Sequence, residues 1–150
     1  MVTSLSLPPF NFFIVNFFTL SLFFIFLVKK SEINKNKKIF LLYGWLFGFG
    51  YFISNLYWIS ISLTFDESFK FLIPLTIIFV PAFLALFYSL ISYLFIIFKS
   101  KNILSSFFLF TLIFGTIEFL RGSILTGFPW NLVAYSFSNH LEIVNIISVI

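Results

Sequence analysis

The sequence contains no cysteine, a single histidine and few charges: nine Lys or Arg and five Asp or Glu among 150 residues. Without cysteine there is no disulfide, no thiolate metal site and no cysteine nucleophile. The lone histidine, His140, has no second histidine or cysteine to join it as a metal ligand. Charged residues make up 9 %, against roughly 25 % in soluble domains, so the chain cannot cover a water-facing surface. The same shortage excludes a disordered segment and a nucleic-acid binder. The net charge of +4 is no basic groove, because the lysines sit in short clusters between apolar runs. Glycine and proline are sparse and form no linker, and no internal repeat is visible. No Ser-His-Asp set, phosphate loop or paired-carboxylate site emerges. No cofactor and no metal are expected.

What is present is apolar. Hydrophobic residues reach 61 %, with 27 phenylalanines, and the mean hydropathy is +1.11. Abundant Phe, Ile, Asn and Lys are what a nucleotide bias in the coding DNA would produce, so the phenylalanine excess is given little functional weight. A membrane-crossing helix needs about 20 mostly apolar residues. Runs of that kind lie near 10–28, 39–62, 71–98 and 103–120, and a fifth begins at 141 and is cut off at 150. Backbone in lipid must satisfy its own hydrogen bonds, and period-2 alternation is lacking, so these runs are read as helices. The fold class expected is all-α: a polytopic transmembrane bundle with four spans and part of a fifth. Residues 1–150 read as one membrane domain. The third run is longer than a ~30 Å bilayer core requires, and Pro81 inside it is the expected kink.

The lysines set an orientation. Loop 29–38 carries Lys29, Lys30, Lys35, Lys37 and Lys38, and loop 99–102 carries Lys99 and Lys101; the opposite side has only Lys70 and Arg121. By the positive-inside rule the two lysine loops are cytoplasmic. The N-terminus, the 63–70 loop and segment 121–140 then face outward. The uncharged start is no conventional signal peptide, and an N-out start suggests a missing preceding helix. With Ile150 inside an apolar run, the chain reads as a piece of a larger protein.

Few residues can carry chemistry. Glu118 and Arg121 share a helix face and are expected to pair, toward the outer end of the fourth run. They read either as a structural ion pair or as part of a lipid head-group site. Thr126-Gly127-Phe128-Pro129-Trp130 forms a turn with Trp130 at head-group depth, an interfacial anchor on the plainest reading. Segment 121–140 could dip into the membrane only under protein cover. Gly44 and Gly48, with Gly50 nearby, give small-residue spacing that lets helices approach. Asn55, Tyr57 and Trp58 end the second run as an aromatic belt with one interhelical hydrogen bond. Asp66 and Glu67 are solvated carboxylates. Asn11, Asn16 and Glu142 have no assigned role, although Glu142 could reach Arg121.

One pattern is more specific. Glu118-Phe119-Leu120-Arg121-Gly122 followed by Leu125-Thr126-Gly127-Phe128-Pro129-Trp130 resembles the signature of bacterial apolipoprotein N-acyltransferases, and Asn131 to Ser136 continues it. The run Gly44 to Gly50, then Asn55-Leu56-Tyr57-Trp58-Ile59, is also similar, as is Leu5 to Phe10. The resemblance is patchy but ordered over almost the whole chain. It implies an enzyme of the bacterial inner membrane that moves an acyl chain from a phospholipid to the amine of a diacylglyceryl-modified N-terminal cysteine of lipoproteins. It implies a nitrilase-like outer domain with a Glu-Lys-Cys triad, acylated at cysteine and then attacked by the amine. This chain ends before such a domain and has no cysteine, so no catalytic residue carries over, and alone it is expected to be inactive. By the same resemblance, the family's first helix is expected to be missing from it.

The resulting expectation is the membrane region of such an enzyme. Its partners are the bilayer, a phospholipid donor and a lipoprotein acceptor, with no nucleic acid. Glu118, Arg121, Phe128, Pro129 and Trp130 are the lipid-access candidates. Gly44, Gly48, Gly50, Asn55, Trp58, Gly122, Thr126 and Gly127 are motif positions with a structural role. The alternatives are a transporter or channel subunit, which would show midplane polar groups or repeated halves, and a non-enzymatic assembly protein using the Gly44/Gly48 face.

Overall fold

A computed structural model describes residue 6, residues 12–56, residue 61 and residues 63–124 and 131–137. Four α-helices account for most of them: α1 (Ile14–Ile33), α2 (Ile39–Asn55), α3 (Ile73–Phe98) and α4 (Ile103–Ile124). Two 3₁₀ turns, Glu67–Leu72 and Val133–Phe137, precede α3 and follow α4. No strand occurs among the described residues. The architecture is all-α. The outset of the fifth run lies outside the described residues.

The molecule is inverted relative to a soluble bundle. Phe18, Leu22, Phe79, Phe108, Leu112 and Phe119 are exposed, while Asn16, Ser89, Ser92, Ser106, Glu118, Arg121 and Ser136 are buried. An apolar exterior around a partly polar interior is stable in lipid and would aggregate in water. The segments Ile14–Ile33, Lys70–Phe98 and Ile103–Ile124 are long and apolar enough to cross a membrane. Among the described residues, three of the four helices therefore meet the length of a full span. The exception is α2: its 17 residues make about 26 Å, short of the ~30 Å core. The second run was expected to reach Ser62, but the helix ends at Asn55, and residues 57–60 lie outside the description.

Other boundaries shift for local reasons. The first apolar run stops at Val28, but α1 continues through Lys29, Lys30 and Ser31 to Ile33. Hydropathy ends where charge begins, whereas a helix does not, since lysine is a good helix former. The polar turn is correspondingly shorter, and the Asn36 side chain accepts from Lys38 N at 3.1 Å within it. At the start of α4, Asn102 Oδ1 accepts from Leu104 N at 2.8 Å, capping a free amide of the first turn. Asp66 does the same for Ser68 N before the 3₁₀ turn. Through Pro81, which is buried, α3 remains a continuous helix of 26 residues. At ~1.5 Å per residue it is about 39 Å long, longer than the apolar core of a bilayer.

The bundle has two distinct ends. At the lysine end, Lys99 Nζ donates to Ser31 Oγ at 3.0 Å, tying the close of α3 to that of α1. At the other end lie the start of α1 and the ends of α2 and α4. Between them the core is largely aromatic. Phe23 stacks on Phe47 with centroids 4.0 Å apart, and Phe24, Phe95 and Phe110 form a mutual cluster at 5.4–5.6 Å. Tyr88 sits between Phe52 and Phe114. The phenylalanines thus supply the packing among all four helices, each pair adding roughly 0.5–1.5 kcal/mol beyond its buried area.

The most extensive contact is that of α2 with α3. A Cβ built on Gly44 would lie 2.2 Å from the Tyr88 carbonyl oxygen and 2.8 Å from Ser89 Cα. One on Gly48 would lie 2.8 Å from Tyr88 Cβ. Only glycine admits backbones this close, which is how helices associate when lipid competes for apolar surface. Two side chains fasten the seam: Ser89 Oγ donates to Leu41 O at 2.8 Å, and Trp45 Nε1 to Ala82 O at 3.0 Å.

Candidate functional site

At the end opposite the lysines, a buried ion pair joins three chain segments. Helical spacing brings Glu118 and Arg121 onto one face of α4. Arg121 donates to Glu118 Oε1 through NH2 at 2.8 Å and through Nε at 3.2 Å. Arg121 has no exposed surface, and Glu118 is 8 % exposed. The guanidinium also lies 4.9 Å from the Phe52 ring centroid, a cation–π contact from α2. The second carboxylate oxygen, Oε2, accepts from Val133 N at 3.0 Å. The pair therefore reaches past its own helix and holds the chain where it returns after α4.

The returning residues 131–137 are anchored at four further points. Asn131 takes a left-handed backbone, φ 48°, a conformation Asn tolerates better than most residues. Its carbonyl accepts from Tyr51 Oη at 2.9 Å, and its Nδ2 donates to Asn55 O at 3.1 Å. Asn55 Nδ2 in turn donates to Tyr51 O at 2.8 Å. The Asn131 amide thereby occupies the carbonyl of Asn55, the last residue of α2. Leu132 packs on Gly122, where an added Cβ would come within 3.1 Å of Leu132 Cδ1. Finally, Ser136 Oγ accepts from Asn16 Nδ2 of α1 at 3.0 Å while donating to Val133 O at 2.7 Å. Phe137 meets the rings of Phe13 and Phe17.

Between α1, α4 and this returning segment lies a cavity of about 210 Å³. Its walls are Phe17, Leu20, Phe107, Phe110, Phe114, Val133 and Phe137, with Asn16, Ser21 and Thr111 as the polar members. Asn16 Oδ1 is the one buried side-chain oxygen or nitrogen among the described residues that lacks a hydrogen-bond partner.

The positions singled out in the sequence divide as follows. Glu118 and Arg121 meet each other, and Asn55 and Gly122 join them around the returning segment. Gly44 and Gly48 lie in the α2–α3 seam, away from this end. Gly50, half-buried in α2, has its carbonyl accepting from Ser54 Oγ at 2.9 Å. Trp58, Thr126, Gly127, Phe128, Pro129 and Trp130 lie outside the described residues, as do Asn11, Tyr57, His140 and Glu142. Asp66 and Glu67 are exposed, and Glu67 pairs with Lys70. The sequence reading left out Tyr51, Phe52 and Val133 and gave Asn16 no role. Tyr51 and Phe52 look like ordinary span aromatics, and a backbone amide such as that of Val133 leaves no sequence signal. Asn16 was the readable clue: an amide in an apolar run has to find a partner.

This end also carries the continuous sequence signature, and comparison with known proteins agrees with it. The family model described as the apolipoprotein N-acyltransferase N-terminal domain matches residues 1–150. This chain belongs to the apolipoprotein N-acyltransferase family. Relatives that carry the name apolipoprotein N-acyltransferase include one from Rhizobium etli, 38 % identical over 87 % of this chain and 26 % of its own length. One from Rhodopseudomonas palustris is 37 % identical over 99 % of this chain and 28 % of its own. One from Rickettsia prowazekii is 39 % identical over 85 % and 25 %. The chain thus spans about a quarter of the length of these curated relatives. No solved structure matches. The matched stretch is the N-terminal membrane region of the family, and the transporter and assembly readings are not favoured.

Proposed function

We propose that the protein carrying this chain transfers an acyl chain from a phospholipid to the N-terminal diacylglyceryl-cysteine amine of lipoproteins. The match to the family's N-terminal domain over all 150 residues carries this reading. This chain supplies the membrane region in the bacterial inner membrane, with the lysine loops cytoplasmic and the Glu118–Arg121 end outward. It supplies no cysteine nucleophile, and by itself it is inactive. The catalytic Glu-Lys-Cys triad belongs to the outer domain implied by the family. Phe128, Pro129 and Trp130 form the mouth through which lipid substrates reach that domain. Glu118 and Arg121 serve the mouth as positioning residues. Arg121 is enclosed by protein, so the pair acts by holding the returning segment rather than by touching a head group.

Two experiments test this. Acyl transfer to a diacylglyceryl peptide is measured with the full-length protein and with residues 1–150 alone; turnover by the first only is expected, and none by either refutes the activity. The lack of cysteine gives a clean background for topology. Ser68→Cys should react with a membrane-impermeant maleimide added outside the cell, and Asn36→Cys should not. The reverse pattern would invert the orientation.

A further inference from the structure

We propose that the cavity between α1, α4 and the returning segment binds a single-chain lipid bearing a free hydroxyl, with that hydroxyl donating to Asn16 Oδ1. This rests on the acyl-transfer reading for the origin of the lipid, but its geometry is independent of it.

Asn16 is 3 % exposed, lies in the first turn of α1 and forms part of the cavity wall. The neighbouring hydrogen bonds fix which way its amide faces. Ser136 has one hydroxyl proton, and Val133 O takes it at 2.7 Å. Asn16 must therefore offer Ser136 its NH₂ group, at 3.0 Å. That leaves Oδ1 as a buried acceptor without a partner. An unsatisfied buried acceptor is costly, and more so in the dry interior of a membrane bundle. A ligand with a donor relieves that cost.

The rest of the cavity specifies the ligand's body. Beyond Asn16 the walls are mainly phenylalanine and leucine, and Thr111 spends its proton on Phe107 O at 3.0 Å. Ser21 and Thr111 are the other polar members of an otherwise apolar wall. An acyl chain needs no polar partner. The cavity follows α4 from Phe114 to Phe107, about 10 Å at the helical rise. Its ~210 Å³ exceeds the roughly 150 Å³ of an apolar cavity that takes up benzene. That is room for part of one chain, not for two.

The donor discriminates among lipids. Ester carbonyls and phosphate oxygens only accept, so an intact diacyl glycerol backbone offers Asn16 Oδ1 nothing. An ammonium donates but brings a charge into an apolar slot, which is expensive. A neutral hydroxyl next to an acyl chain fits both demands. A phospholipid that gives up one acyl chain acquires that group.

The test uses a lysophospholipid with a diazirine in its chain, and the same lipid with the free hydroxyl methylated, in nanodiscs holding the full-length protein. Photolysis should label peptides of α1 and α4, and the hydroxyl form should compete about tenfold better than the ether. Asn16→Leu should abolish that preference. Thr111→Phe, which fills the cavity without touching the Asn16–Ser136 bond, should cut labelling by both lipids. Equal binding of the two lipids to the unaltered protein, or labels confined to other helices, overturns the proposal. Labelling by added lysophospholipid without turnover supports a site open to the membrane pool. Labelling only while a diacyl donor is being consumed supports a site on the product's way out. Acyl transfer is assayed on the same samples, so loss of that activity with labelling intact refutes the enzymatic reading and leaves the cavity standing.

Discussion

The α2–α3 seam and the Glu118–Arg121 end solve the same problem by opposite means. Lipid gives helices no hydrophobic reason to associate. In the seam, glycines remove side chains so that backbones touch, and dispersion along a continuous surface is supplemented by the Ser89 and Trp45 hydrogen bonds. At the other end, buried polar side chains tie the returning segment to α1, α2 and α4, and the energy sits in a few directed bonds. The seam leaves no room for a ligand, whereas the polar end borders a partly open cavity. Close packing confers rigidity, and a scaffold of hydrogen bonds can confer rigidity around a void.

The largest expected effect breaks the polar end. Arg121→Met leaves Glu118 buried and uncompensated, which costs about 3–5 kcal/mol. Denaturant titration in mixed micelles should show that loss, and the paired change Glu118→Gln with Arg121→Met should recover most of it. A smaller effect breaks the seam. Gly44→Ala drives a methyl into the Tyr88 carbonyl, and overpacking of this kind costs about 1–3 kcal/mol. The same titration checks it, and Gly115→Ala is the control, since nothing lies within 4 Å of an added Cβ there.

A third change separates backbone from side chain. Asn131→Ala loses the bond to Asn55 O and strains a left-handed residue, together roughly 1–2 kcal/mol. Asn131→Gly relieves the strain only, so it should fall between the two. The smallest effect sharpens the contrast from outside. Glu67→Gln removes an exposed ion pair with Lys70 and should change stability by no more than about 0.5 kcal/mol, less at high salt.

Contacts close in sequence were legible. Three-residue spacing pairs Glu118 with Arg121, and four-residue spacing puts Gly44 and Gly48 on one face. Composition alone places apolar surface outward. What escaped was the partner in each case. Small residues on one face do not say which helix comes close, and Tyr88 carries no mark of receiving them. A carboxylate read as half of an ion pair gave no hint that its other oxygen holds Val133 N. Helix ends escaped for a different reason: α1 outlasts its apolar run because lysines continue a helix as readily as they end a hydropathy window. The returning segment could be named as needing protein cover, but its cover comes from α1, α2 and α4 at once, and no local pattern encodes that.

The bond between Asn16 and Ser136 joins residues 120 positions apart. A ribosome adding about 5–20 residues per second needs roughly 6–24 s to cover that distance. For that interval α1 stands in the membrane with its amide unanswered, while three later helices are still being made. Of these four helices, the earliest made is thus among the last to be completed. Its early lifetime depends on whatever polar group it can borrow until residue 136 arrives.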